Sequence, residues 1–175
     1  RLLPGANSAT ATNSILGTSM SRDTESDHTA SDHTAAAVDR HVPLLELLEI
    51  RPSQVDAGKA VFEMTVDERH LRTLGILHGG VAATLLDTCM GFAAVTVAPE
   101  DHHVVTVQLN VNFIRPAWES ERLTATGEIR HSGRQTAVTA GEIHSAEGTL
   151  IASATATFLF LPKPPPGEDI ARQPD

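Results

Sequence analysis

Two features of the apolar stretch at residues 77–94 could do chemistry: a His-Gly-Gly triplet and a single acid. Asp87 is the only charged residue between His78 and Glu100. A carboxylate inside an apolar helix must be hydrogen-bonded, ion-paired or used chemically, because burying an unpaired charge is costly. As a functional group, it would act as a general base or as a nucleophile.

The triplet His78-Gly79-Gly80 stands at the start of the same stretch. Glycines at a helix start leave the first backbone N–H groups uncovered, and the helix dipole adds positive potential there. Such a helix start can hold an anion or an oxygen that gains negative charge. Asp87 lies two turns further on, on the order of 10 Å from Gly80 along the helix axis. A small carbonyl compound could therefore lie between the two.

The stretch itself predicts one long buried helix, since its apolar residues recur at three- and four-residue steps. The large apolar face comprises Val81, Ala82, Leu85, Leu86, Cys89, Phe92 and Ala93. A second, narrow face comprises Gly80, Ala83, Thr84, Asp87, Thr88 and Gly91. Because the residues of the second face are small, we expect it to meet another packed element, supplied by a second copy of the chain.

The flanking residues predict a short amphipathic helix within 42–50, a hairpin turning at 56–59, and four strands after the long helix. We expect those strands at 104–114, 122–130, 135–144 and 149–161. In the first of them, alternation places Val105, Val107, Leu109, Val111 and Phe113 on one face and Thr106, Gln108, Asn110 and Asn112 on the other. Consecutive hairpins indicate an α+β fold in which a curved, mainly antiparallel six-stranded sheet wraps one long central helix.

Composition excludes several classes of function. The 175 residues carry a formal net charge of −9 without a dense basic run, which argues against nucleic-acid binding. No apolar run approaches the ~20 residues of a membrane-spanning helix. A single cysteine excludes an internal disulfide and suits a reducing cytoplasm. His102-His103 has no ligand-like partners nearby in the sequence, so we expect no metal site.

The composition also shifts along the chain. Residues 1–40 are rich in Ser, Thr, Ala and Asp and lack periodic apolar positions, which predicts a disordered tail. Met20 is a plausible true start. One domain is expected at 41–161, followed by a Pro-rich tail at 162–175.

The chain resembles the hotdog-fold 4-hydroxybenzoyl-CoA thioesterase superfamily, in its phenylacetate-degradation (PaaI-like) branch. The resemblance is carried by L-G-I-L-H-G-G at 74–80, L-L-D-T at 85–88, T-V-Q-L-N-V-N-F-I-R-P-A at 106–117 and R-H-S-G-R-Q-T at 130–136. It spans about residues 42–161. It implies hydrolysis of medium-chain or aryl acyl-CoA without a cofactor, by a homodimer that pairs into a tetramer.

The resemblance also implies a role for each matching residue. Asp87 matches the catalytic acid, and Gly80, with Gly79 beside it, matches the N–H group that polarises the thioester carbonyl. His78 matches the histidine next to that carbonyl. Thr106 matches a Ser or Thr that helps to position water, contributed from the neighbouring subunit. Two more matches, Arg130 and Arg134, fall where basic side chains near a subunit edge often meet CoA phosphates.

Arg72 departs from the family pattern, since relatives often carry Asn or Gln there to orient water or the carboxylate. An arginine would either pair with Asp87 or point at CoA phosphates. Two alternatives to hydrolysis follow from the same resemblance: a non-catalytic acyl-CoA binding module, which Arg72 leaves open, and a hotdog dehydratase or hydratase. The second needs a paired acid and base in a different motif, which the sequence lacks.

Overall fold

The computed structural model describes residues 42–165. The predicted disordered tail at 1–40, the start at Met20 and the chain after Pro165 lie outside these residues. The described elements are α1 (Pro43–Leu47), β1 (Arg51–Asp56), β2 (Lys59–Thr65), α2 (Gly79–Val95), β3 (His102–Phe113), β4 (Arg122–Ser132), β5 (Thr136–Ser145) and β6 (Leu150–Pro162). The predicted order of a short helix, two strands, a long helix and four strands is confirmed.

The strands of the described chain form one six-stranded sheet in the order β1-β2-β4-β5-β6-β3. Every neighbouring pair is antiparallel, as the hairpins predict. The prediction that the sheet stops before Pro162 is wrong by one residue, because Pro162 ends β6 opposite His102. A proline is tolerated at this position because it is the last residue of the strand and the sheet goes no further.

The long helix α2 packs its apolar face against the sheet. Its buried residues are Ala82, Leu85, Leu86, Cys89, Met90, Ala93 and Ala94. Two members of the predicted face, Val81 and Phe92, are only half-buried, while Met90 takes part in the core instead. The sheet supplies large buried side chains to the same core, among them Phe62, Leu123, Ile143 and Phe158.

The sheet and α2 approach each other most closely at Gly127 in β4. A Cβ atom added there would lie 2.6 Å from backbone atoms of Cys89 and Met90. Real Cβ atoms do not approach backbone this closely, so a glycine is needed for the observed separation between α2 and β4. That separation in turn positions the residues that α2 carries.

Strand β3 lies at an edge of the sheet and contains an irregularity. Its register with β6 shifts between Thr106 and Gln108, so that Val107 is an extra, bulged residue. The predicted alternation is therefore wrong at the start of the strand: Thr106 lies on the side of Leu109, and Val107 is 55% exposed. A bulge reverses which face a side chain occupies, because strand periodicity is two residues.

The small face of α2 remains half-buried or exposed along its length. No other element of the described chain covers it completely. Among residues 42–165, no helix is long and apolar enough to cross a membrane.

Candidate active site

Asp87 and Thr106 meet beside the small face of α2. The Thr106 hydroxyl donates a hydrogen bond to Asp87 Oδ1 at 2.9 Å. The bulge at Val107 makes this contact possible, because it turns Thr106 toward the helix. The contact forms within one chain, so Thr106 and Asp87 belong to the same subunit in any site that two copies share. Asp87 is thus a half-buried carboxylate with one oxygen held in place.

Asp87 opens into a cleft of about 550 Å³, which we call the acid cleft. Its walls are mostly apolar and come from three directions: α1, α2 and the strands β3 and β6. The lining residues are Val42, Leu44, Leu45, Ala83, Thr84, Asp87, Thr88, Gly91, Phe92, Val95, Val104, Thr106, Leu109 and Phe158. The volume falls in the range of pockets that bind small organic molecules.

The contribution of α1 to this cleft is a contact that the sequence did not predict. Arg69 ties the end of α1 to the loop before α2, since its Nη1 donates to Leu47 O at 3.2 Å and its Nη2 to Glu49 Oε1 at 2.7 Å. It also bonds Asp67. These hydrogen bonds from the guanidinium hold the pKa values of Glu49 and Asp67 below their ordinary range. Both carboxylates are charged at neutral pH, and Arg69 links the chain just after α1 to the loop before α2.

His78 caps the start of α2. Its Nδ1 accepts a hydrogen bond from the Gly80 N–H at 2.9 Å, which corrects the prediction that this N–H is uncovered. Because Nδ1 acts as an acceptor, the neutral imidazole carries its proton on Nε2. The backbone N–H of His78 donates a hydrogen bond to the backbone oxygen of His70 at 2.7 Å. Among the described residues, the Gly79 N–H has no hydrogen-bond partner.

Gly79 faces a second cleft, the helix-start cleft, of about 430 Å³. Its lining residues are Arg72, Ile76, Leu77, Gly79, Ala82, Phe113, Ile114, Arg115, Pro116, Ala117, Ile151 and Ala152. The two clefts share no lining residue. Within one chain, the diglycine and Asp87 therefore open into different clefts. That a small carbonyl compound lies between the two stays a prediction, for a site that a second copy completes.

Arg72 lines the helix-start cleft and forms no ion pair with Asp87 within residues 42–165. Its backbone N–H donates to Ile76 O at 2.8 Å, and Leu71 and Leu77 pair as an antiparallel bridge on either side. The closed turn therefore keeps Arg72 at the cleft. Within one chain, Arg72 therefore does not pair with Asp87, and both alternatives for Arg72 stay predictions for a site that a second copy completes.

Arg130 and Arg134 lie away from both clefts. Arg130 is 3.7 Å from Glu128 and lines a separate groove with strand residues such as Thr126 and Ser153. Arg134 is exposed in the turn after β4. Within one chain the structure does not bring these two arginines to Asp87 or Gly79.

Within residues 42–165, neither a thiolate nor a cluster of metal-ligating side chains lies beside these groups. Burial raises the pKa of the Cys89 thiol to about 12, so the thiol stays protonated at neutral pH. In the described part of the chain, no group of three or more His, Cys, Asp or Glu side chains could hold a metal ion.

Comparisons with known proteins relate the chain to thioesterases. A sequence profile described as "Thioesterase superfamily" matches residues 74–152. Acyl-coenzyme A thioesterase 13 of Homo sapiens is 33% identical over 101 residues, which cover 57% of this chain and 71% of the human protein. The structure of the Escherichia coli PaaI protein from the phenylacetic acid degradation operon aligns with a TM-score of 0.69 at 28% identity, covering 77% of this chain and 94% of PaaI.

A third match contains a ligand. The hypothetical thioesterase protein of Streptococcus pneumoniae, solved with coenzyme A, aligns with a TM-score of 0.61 at 27% identity. The alignment covers 65% of this chain and 90% of that protein.

Proposed function

Because this chain belongs to the PaaI-like branch of the thioesterase superfamily, we propose that it hydrolyses acyl-CoA with Asp87 as the catalytic carboxylate. It is a thioester hydrolase with the predicted hotdog fold. The observation that carries the proposal is the Asp87 carboxylate, half-buried, bonded to Thr106 and open to an apolar cleft. Support for the substrate comes from the human acyl-CoA thioesterase and from the relative solved with coenzyme A.

The chemistry requires a base or nucleophile and a donor for the carbonyl oxygen. Asp87 either takes a proton from water as it attacks the thioester or attacks the carbonyl carbon itself. In the first route the C–S bond breaks after water has added, and the free acid and the CoA thiolate form. In the second route C–S cleavage leaves a mixed anhydride on Asp87, which water hydrolyses to the free acid and the regenerated carboxylate. In both routes the leaving thiolate takes up a proton, and the products are a free acid and CoA. Negative charge on the carbonyl oxygen is stabilised by the free Gly79 N–H and by His78 Nε2–H. The Gly80 N–H donates to His78 Nδ1 and in this way orients the imidazole that carries the Nε2–H.

The donors and the carboxylate are brought together by a second copy of the chain. One chain places them in separate clefts, so a complete site needs the acid cleft of one protomer and the helix-start cleft of its partner. Support comes from β3, which is a 12-residue edge strand with an open row of backbone groups and exposed side chains at Val107 and Phe113. The small face of α2 allows close approach of the second helix. We propose that two such dimers form a tetramer.

Replacing Val107 by lysine is expected to break the dimer, since a charged side chain on an edge strand disfavours strand pairing. Light scattering after size-exclusion chromatography should give the mass of a multimer for the wild type and a monomer for Val107→Lys, with loss of turnover. Val138→Lys, at an exposed valine inside the sheet, is the control and should keep the multimer. A monomeric wild type at micromolar concentration would count against the shared site.

Thr106→Val should lower kcat by about tenfold, because the carboxylate loses a charge-assisted hydrogen bond. Thr106→Ser keeps the hydroxyl and should retain most of the rate. The measurement is CoA release by reaction with DTNB, together with thermal melting to show that both variants are folded. Equal rates for the valine and serine variants would show that the hydroxyl is not needed.

The experiment that tests the proposed function is a panel of acyl-CoA substrates assayed by CoA release. The panel includes acetyl-, hexanoyl-, decanoyl-, palmitoyl-, benzoyl- and phenylacetyl-CoA. We expect turnover of medium-chain or aryl thioesters in the absence of added cofactor. No CoA release from any member of the panel would overturn the proposal.

A cytoplasmic location belongs to the same proposal. The sequence has a single cysteine and so no internal disulfide, which suits a reducing compartment.

A further inference from the structure

We infer that the helix-start cleft selects acyl groups that end in a carboxylate, which Arg72 and Arg115 bind. The inference rests on the proposed function and names a substrate class for it. Such substrates are CoA thioesters of dicarboxylic acids, in which one carboxyl is the thioester and the other is free.

Both arginines line the same cleft as Gly79. Within residues 42–165, neither forms an ion pair with a carboxylate, although the sequence has 22 acidic and 13 Lys or Arg residues. Arg115 uses Nη1 to donate to Leu150 O at 3.1 Å, and its other donors remain available. Two arginines without a carboxylate partner in the described chain, at one cleft of an acidic protein, favour an anionic ligand, because arginine binds carboxylates through paired hydrogen bonds.

The rest of the cleft is apolar. Its remaining walls include Ile76, Leu77, Ala82, Ile151 and Ala152. A ligand that matches both parts has an apolar body and an anionic end. The cleft volume of about 430 Å³ fits one small acyl group of this kind.

The position of Gly79 favours an anion on the acyl group over the phosphates of CoA. If the thioester carbonyl binds the Gly79 N–H, the free carboxylate of a short diacid lies within the same cleft. The CoA phosphates are separated from the thioester by the whole pantetheine arm and lie beyond it. Arg72 and Arg115 are therefore placed for the acyl end of the substrate.

The backbone holds both arginines in place before a ligand binds. Arg72 lies on the turn closed by its hydrogen bond to Ile76. The Arg115 N–H donates to Ile151 O at 3.1 Å, which fixes its backbone against β6. An ordered backbone keeps both arginines at the cleft, so binding a ligand costs the entropy of the side chains and not that of the backbone.

The test compares kcat/KM for adipoyl-CoA and hexanoyl-CoA, which share their chain length and differ by the terminal carboxylate. We expect the wild type to favour adipoyl-CoA and Arg72→Gln to lower the ratio of the two values by about tenfold or more. Arg72→Lys keeps the charge and should lose less of the ratio. Arg122→Gln, at an exposed arginine outside both clefts, should leave the ratio unchanged.

Each other outcome overturns the inference in a distinguishable way. An equal loss on both substrates in Arg72→Gln would assign the arginine to the CoA phosphates. A wild type that hydrolyses hexanoyl-CoA and rejects adipoyl-CoA would leave the proposed function intact and remove the substrate class. If the wild type releases CoA from neither substrate nor from the wider panel, the proposed function fails and the inference fails with it.

Discussion

Asp87→Asn is expected to lower kcat for acyl-CoA hydrolysis by about 10³-fold, the middle of the range for loss of a catalytic base. An amide has nearly the same shape as a carboxylate but is a poor base and a poor nucleophile. Its oxygen can still accept the hydrogen bond from Thr106. The variant should therefore fold and bind acyl-CoA, and the loss should appear in kcat rather than in KM.

The measurement is the rate of CoA release with the best substrate of the panel, with thermal melting as the test of folding. Asp56→Asn makes the same chemical change at an exposed carboxylate at the end of β1 and should keep the wild-type rate. If Asp87→Asn retains near-normal turnover, Asp87 has no part in the chemistry and the assignment of the acid cleft is wrong.

The order of helices and strands along the chain could be predicted from the sequence, because the signals for each element are local. The three- and four-residue spacing from Val81 to Ala93 indicated α2, and the turn at 56–59 indicated the first hairpin. Asp87 was identifiable because a single charged residue in an apolar helix costs free energy unless it is paired, hydrogen-bonded or used in function. Each of these signals depends on neighbours in the sequence, and each element was found where it was expected.

The details that position the site depend on contacts that a local pattern does not contain. Thr106 was assigned to the wrong face because a strict two-residue alternation does not predict the bulge at Val107. The cap that His78 forms on Gly80 depends on the conformation of the histidine side chain, which residue spacing does not show. The clefts themselves join residues far apart in the chain, such as Leu45 with Leu109, and no spacing rule brings these together.

The approach of α2 to β4 predicts the second large effect, since Gly127→Ala is expected to destabilise the protein strongly. The added methyl carbon would lie 2.6 Å from backbone atoms of Cys89 and Met90, and backbone cannot move aside as a flexible side chain can. The helix must shift away from the sheet, which costs on the order of 3 kcal/mol, the upper part of the usual range for overpacking. The melting temperature should fall by roughly 6–12 °C for a protein of this size.

The same shift separates Asp87 on α2 from Thr106 on β3, so the folded fraction of Gly127→Ala should also show reduced kcat. Gly133→Ala is the matched control, because a Cβ there meets its nearest atom at an ordinary 3.5 Å and the backbone conformation is not a left-handed one. Melting curves by circular dichroism and CoA release at a temperature below both transitions measure the two effects. A Gly127→Ala variant as stable as Gly133→Ala would show that α2 is not held at this distance, and that Asp87 is positioned by other contacts.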